Sequence, residues 1–117
     1  MVEADLIAYL ASQGFEAYAE LPADVGLDSL RPLVTVERTG GYSIHRSTVE
    51  AATVAVQSWA ASTLEAAELA HLVDRALAAA ADHVPAVMRC ERTAMYRFTD
   101  GQRPRYQATY DLIYMED

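Results

Sequence analysis

The stretch RYQATYDLIYM, residues 105–115, alternates strictly between two kinds of side chain. Such period-two alternation is the pattern of an antiparallel strand that has one covered face. It predicts a sheet packed on one side against other elements, and this sets the fold class of the chain. The covered face is predicted to carry Tyr106, Ala108, Tyr110, Leu112 and Tyr114, and the opposite face Gln107, Thr109 and Asp111.

Helix and strand signals precede this strand in a regular order. Ser62, followed three residues later by Glu65, is a capping-box pattern, and the apolar residues after it recur at steps of three and four. Gly14 is expected to end the first helix, and Gly40-Gly41 to end a strand. The predicted elements are helices at 3–13 and 63–81, and strands at 15–20, 33–38, 48–60, 87–98 and 105–115.

These elements predict one α+β domain over residues 1–117. Strands joined by short loops, with two helices packed on one face, form a two-layer sandwich. The expected sheet is antiparallel or mixed and has four to five strands. The expected order of elements is α-β-β-β-α-β-β.

Composition limits the classes of function. The chain has 117 residues, 52% of them apolar, and a formal charge of −8; all nine of its basic residues are arginine. Because a sequence-independent grip on nucleic acid needs clustered positive charge, we expect DNA to pass this protein without specific binding. The sequence has no apolar run of about 18 residues, so no membrane helix is expected. Its acidic start does not resemble a secretory signal, which favours folding in the cytoplasm.

No residue pattern indicates bond-making chemistry. The sequence has neither a glycine-rich phosphate loop nor a Gly-x-Ser-x-Gly elbow. Cys90, the single cysteine, is expected to be a buried and inert thiol. Asp24 and Asp28 lie in a polar connection, where aspartate commonly favours turns. The chain is therefore predicted to be no enzyme and to hold no cofactor or metal. Its histidines are dispersed: His45, His71 and His83.

Aromatic and basic residues outside the predicted core are candidates for an interface. The segment 42–47 is expected to be a loop that combines aromatic, aliphatic and cationic side chains. It is either an ordinary mobile hairpin loop or an arm that orders against a neighbour. The tyrosines of strand 105–115 are open to two interpretations, since tyrosine serves both cores and interfaces. The interface candidates are Tyr42, Ile44, His45, Arg46, Arg103 and Arg105.

Three stretches together resemble a family of small phage proteins. They are RPLVTVERTGG at 31–41, VAVQSWAAS at 54–62 running into EAAELA at 65–70, and RYQATY at 105–110. The chain is similar over residues 5–114 to the tail terminator, or tail completion, family of long-tailed siphophages and of prophages in actinobacteria, a group of minor tail proteins. It differs from the family's more acidic turn between Gly41 and Val54 by carrying His45 and Arg46.

The resemblance implies an α+β subunit that closes into a ring, expected to be a hexamer, without catalytic residues or cofactors. Such a ring caps the tail tube and offers a joining surface to the head–tail connector protein. The implied partners are other copies of the chain, the tail tube protein and the connector, while DNA passes through the ring. The implied location is the virion tail, assembled in the host cytoplasm.

The residues alone leave other functions open. Within the same class, the chain is a head–tail stopper or a tail tube subunit. In a different class, it is a dimeric α+β module that binds a small ligand in an apolar pocket. An enzyme that uses His45 or His71 together with Asp24 or Asp28 is the least favoured alternative, because no nucleophile accompanies them.

Overall fold

In the computed structural model, which describes residues 1–22, 31–46, 48–98 and 103–115, five strands form one mixed sheet. They are β1 (Ala17–Tyr18), β2 (Leu33–His45), β3 (Val49–Trp59), β4 (Val87–Phe98) and β5 (Arg105–Met115). Their order across the sheet is β1-β2-β3-β5-β4. β1 runs parallel to β2, and the other neighbours are antiparallel. β5 therefore lies between β3 and β4, although it follows both in sequence.

Helices cover one face of this sheet. They are α1 (Val2–Ser12), α2 (Thr63–Ala78) and α3 (Ala80–His83). The backbone N–H of Glu65 donates to Ser62 Oγ at 3.1 Å, as the predicted cap at the start of α2 requires. Leu6 of α1 and Leu77 of α2 are fully buried in the core between helices and sheet. The prediction of an α+β two-layer sandwich, with its order of elements, is confirmed.

The alternation along β5 is confirmed by its burial. Ala108, Tyr110, Leu112 and Tyr114 are buried in the core, and the residues between them are half-buried or exposed. Tyr106, at the start of the pattern, is half-buried. Of the two interpretations of the tyrosines, core packing is therefore the correct one for Tyr110 and Tyr114.

The helix predicted over residues 63–81 is interrupted. α2 ends at Ala78, and Ala79 leaves helical geometry with φ −98° and ψ 4° before α3 begins. Residues 78–81 are all alanine, which favours helix throughout, so the sequence contains no local signal for the interruption. The break brings Ala80 into the core, where it is fully buried.

The prediction that Gly40-Gly41 ends a strand is wrong. β2 continues through both glycines to His45, and its register with β3 shifts between Arg38 and Gly40. Such a shift is a β-bulge, and glycine permits a bulge as readily as it permits the end of a strand. The predicted loop at 42–47 is consequently wrong for residues 42–45, which belong to β2 and extend a long hairpin with β3.

The strand predicted at 15–20 is reduced to Ala17 and Tyr18, which pair with Val34 and Thr35. The outer edge of β2 is therefore covered for only a short part of its length by β1. Asp24 and Asp28, which the sequence analysis assigns to a polar connection, lie outside the described residues, as do residues 99–102 between β4 and β5.

Candidate functional site

The six predicted interface residues lie at opposite ends of the sheet. His45 pairs with Val49, which pairs with Met115, whereas Arg105 pairs with Trp59. Along β5 these two ends are ten residue steps apart, or roughly 33 Å at about 3.3 Å per residue. The structure therefore divides the predicted set. Tyr42, Ile44, His45 and Arg46 belong to one end, and Arg103 and Arg105 to the other.

The first of these regions, here called the hairpin end, comprises residues 42–46, Val49, Met88 and Met115. Tyr42 is 70% exposed, Ile44 48%, Met88 55% and Met115 52%. These are four of the eight large hydrophobic side chains that are exposed in the described part of the chain. Single exposed apolar residues are normal on a protein surface, but a group of them at one end indicates an interaction surface.

A β-bulge and a core tyrosine hold the hairpin in place. Arg38 donates from Nε to the carbonyl oxygen of Gly40 at 3.2 Å and from Nη1 to the hydroxyl of Tyr114 at 2.7 Å. Gly41 has φ 145°, and a Cβ at this position would overlap the carbonyl oxygen of Ala51. Glycine is therefore required at Gly41, and the hairpin is fixed to β5 through a buried hydroxyl.

His45 has a local role in the turn of the hairpin. Its Nδ1 lies 3.0 Å from Thr48 Oγ1, and that hydroxyl donates to the carbonyl oxygen of His45 at 2.6 Å. Arg46, the next residue, has φ 31°, and its side chain is exposed. The turn therefore orients the guanidinium of Arg46 outward while His45 closes the hairpin.

The second region, here called the arginine end, comprises Trp59, Phe98, Arg103 and Arg105. The guanidinium carbon of Arg105 lies 4.4 Å from the centre of the Trp59 ring, which is a cation–π distance. Trp59 Nε1 in turn donates to Thr35 Oγ1 at 3.1 Å. Arg103 and Arg105 are both half-buried. Arg105 is thus held by contacts within its own chain.

The sheet face opposite the helices carries a row of polar pairs between strands. Gln57 donates to Gln107 at 2.9 Å, and Gln107 donates to the Tyr96 hydroxyl at 2.9 Å. Farther along, Thr53 Oγ1 donates to Asp111 Oδ1 at 3.2 Å. We call this surface the open face. Its polar side chains bond to one another across the strands, so these groups have partners without a covering layer of helices.

A groove of about 370 Å³ crosses the open face next to the hairpin end. Its small lining residues come from β2 and β3 and include Gly41, Ala51 and Thr53. The larger side chains that line it come from three strands, β2, β5 and β4: Tyr42, Ile113, Asp111, Arg89 and Glu91. Arg89 and Glu91 form an ion pair at 2.8 Å. We call this feature the open-face groove.

The strongest pKa shifts lie on the helix-covered side. Tyr110 donates its hydroxyl proton to Asp74 Oδ1 at 2.9 Å, and Arg92 Nη1 donates to Asp74 Oδ2 at 3.1 Å. Burial, and then the hydrogen bond to the Asp74 carboxylate, raises the pKa of Tyr110. Burial, and then the charge of Asp74, raises the pKa of the Cys90 thiol to about 11. The thiol is therefore protonated near neutral pH, and a protonated thiol is a poor nucleophile.

The three histidines, of which His45 and His71 are the catalytic candidates, lie on different elements of the fold. His71 is exposed on α2, His83 stacks on Tyr9 with ring centres 5.9 Å apart, and His45 belongs to the hairpin turn. Within the described ranges, no three histidine, cysteine, aspartate or glutamate residues are placed to hold a metal ion. Nor does that part of the chain contain a helix both long and apolar enough to cross a membrane.

Sequence reasoning missed the open-face groove and the Asp74 contacts. The groove requires a bulge in β2 and a register between distant strands, neither of which a local pattern specifies. A weak signal exists in β3, where Ala51, Thr53 and Ala55 leave one face of a central strand without large side chains. No protein-family model matches this sequence, and no curated protein matches it either.

Proposed function

We propose that this chain is a structural subunit that works by assembly, as the tail terminator of a long-tailed phage. In this role it forms a ring, caps the tail tube and provides the joining surface for the head–tail connector. It performs no catalysis and becomes part of the virion tail. The observation that carries the proposal is the hairpin end, where four large apolar side chains are exposed together.

The arrangement of strands supports assembly rather than binding of a small molecule. β4 is an edge strand of the sheet, and among the described residues the outer side of β2 is paired only at Val34 and Thr35. Strand edges offer backbone groups to a neighbouring chain. A ring also requires two different patches on each subunit, and the two ends of this sheet differ in composition.

The proposal is tested by assembly on tail tubes. Purified protein is mixed with the tail tube protein and examined by electron microscopy and native mass spectrometry. A terminator forms a single closed ring at one end of the tube and stops its growth. Open-ended stacks of this chain would instead indicate a tube subunit, and binding to the connector alone would indicate a head–tail stopper.

DNA binding gives an independent check. The net charge of −8 should keep a DNA passage non-adhesive, because acidic side chains repel phosphate. We expect negligible binding to duplex DNA between low and physiological salt, measured by fluorescence anisotropy. Tight binding that weakens steeply with added salt would contradict a passive passage, since such behaviour reports phosphate contacts.

A further inference from the structure

We infer that the hairpin tip of one copy docks in the open-face groove of a second copy, with Arg46 of the tip paired to Asp111 of the groove. The tip comprises residues 44–46. The inference rests on the proposed function, because it names the surface that receives the hairpin during assembly. It is carried by three properties of the groove: its charge, its size and its position.

Charge complementarity is the first argument. Asp111 is exposed and accepts a hydrogen bond from Thr53, but it forms no ion pair with any described residue. Glu91 in the same groove is already paired with Arg89. The groove therefore retains one uncompensated negative charge. The tip offers the opposite charge, since Arg46 is exposed and makes no ion pair within the described ranges. Complementary charges of this kind favour a specific docking register.

Size is the second argument. A volume of about 370 Å³ equals about a dozen water molecules at about 30 Å³ each, which is room for two or three side chains. One turn of a helix, about 10 Å across with its side chains and about 5.4 Å long, occupies about 420 Å³, which is more than the groove holds. Ile44 and Arg46 of a hairpin tip fit the space. The small residues Ala51 and Thr53 in its lining let an apolar side chain approach the sheet closely.

Position is the third argument, and it requires a second copy. The tip cannot fold back into the groove of its own chain, because β2 is paired with β3 from Leu33 to His45. Tip and groove are different patches, so in the proposed ring their contact is heterologous and joins copies head to tail. Each copy that donates a tip still offers its own groove to the next one.

Cross-linking tests the contact directly. In a Cys90→Ala background, Ile44→Cys places a thiol on the tip and Ile113→Cys places one in the groove. The two proteins are mixed, with and without tail tubes, and treated with a short bismaleimide. We expect mixed dimers to exceed dimers of either variant alone by about fivefold, because only the mixture unites tip and groove. Leu72→Cys, on the exposed side of α2, replaces the tip thiol as a control.

A charge exchange tests the ion pair. Arg46→Glu and Asp111→Arg should each lower the yield of mixed dimers by about tenfold, and the two together should restore it to within about threefold. Arg75→Glu and Glu68→Arg introduce the same charge changes on exposed positions of α2 and should change the yield less than about twofold.

The outcomes separate this inference from the proposed function. In one outcome, electron microscopy shows rings while mixed dimers are no more frequent than in the Leu72→Cys control. That result would overturn the docking of tip into groove and leave the assembly function intact. No self-association by native mass spectrometry, alone or on tail tubes, would overturn both. If the charge exchange does not restore the yield, Arg46 does not pair with Asp111.

Discussion

The hairpin end and the arginine end are formed by the same strands, but their side chains are held differently. At the hairpin end, Tyr42 and Ile44 project into solvent. At the arginine end, Arg105 stacks on Trp59, which is itself hydrogen-bonded to Thr35. A side chain that already has partners in its own chain gains less from binding another molecule. The hairpin end is therefore the better assembly surface, although both ends contain residue types that are common at interfaces.

The largest effect on stability should come from a substitution at Gly41, next to the β-bulge from which the hairpin extends. Gly41→Val adds a Cβ that meets the carbonyl oxygen of Ala51 in a backbone conformation that valine avoids. We expect a loss of roughly 2–3 kcal/mol in the free energy of unfolding, measured with urea. Gly40→Val is the matched control, because nothing lies near its added Cβ, and it should cost less than about 1 kcal/mol. Equal losses at the two positions would show that the bulge does not depend on Gly41.

Tyr110 lies midway between the two ends and tests whether the core beneath them responds to pH. Tyr110→Phe removes the hydrogen bond to Asp74 and should cost about 1.5 kcal/mol near neutral pH. The folded-state pKa of Tyr110 is raised, so its stabilising contribution is complete below the unfolded value of 10.0 and is lost as pH rises toward the folded pKa. The free energy of unfolding of wild type, measured with urea, should therefore decrease above pH 10. The decrease should be smaller in Tyr110→Phe.

Cys90 provides the control for the alkaline experiment. Its pKa is raised from 9.0 to about 11, so the thiol contributes its own loss of stability between those values. Comparing Tyr110→Phe with wild type in a Cys90→Ala background isolates the tyrosine. An unchanged pH slope in Tyr110→Phe would mean that the phenol does not control alkaline stability.

A smaller effect is expected at the arginine end. Trp59→Phe keeps an aromatic ring under Arg105 but removes the donor to Thr35, whose buried hydroxyl loses that partner. The expected cost is about 1 kcal/mol, measured by thermal unfolding. Adding Thr35→Val should make the double variant less destabilised than the sum of the two single variants, because both remove the same bond. Strict additivity would show that this hydrogen bond does not hold the arginine end together.

A substitution at the hairpin tip should have the smallest effect on stability and a large effect on assembly. Ile44→Ser changes an exposed side chain and should alter the free energy of unfolding by less than about 0.5 kcal/mol. It should nevertheless reduce ring formation, counted by electron microscopy. Leu64→Ser makes a comparable change at an exposed residue of α2, five positions after Trp59 of the arginine end, and should leave ring formation unaltered. Equal loss of rings in both variants would show that the hairpin end is not the preferred assembly surface.

The sequence predicts the architecture because its signals are local. Alternation in residues 105–115 specifies a half-covered strand, and the Ser62 cap specifies where a helix begins. The surfaces are less predictable, since they depend on register. Arg105 has the composition of an interface residue, but only the pairing of β3 with β5 places it over Trp59. In the same way, Gly41 is recognisable as a special position, whereas its effect depends on the facing carbonyl of Ala51.

The position of β5 has a consequence for how the chain folds during synthesis. Because residues 105–115 lie between β3 and β4, β3 is paired only with β2, and β4 lacks its β5 partner, until this segment has left the ribosome. The two strand edges that β5 later covers therefore stay unpaired in the nascent polypeptide, and such edges are prone to mispairing. Productive folding of the sheet is thereby postponed until residues 105–115 have been made, and a ribosome that stalls before this segment would release an aggregation-prone fragment.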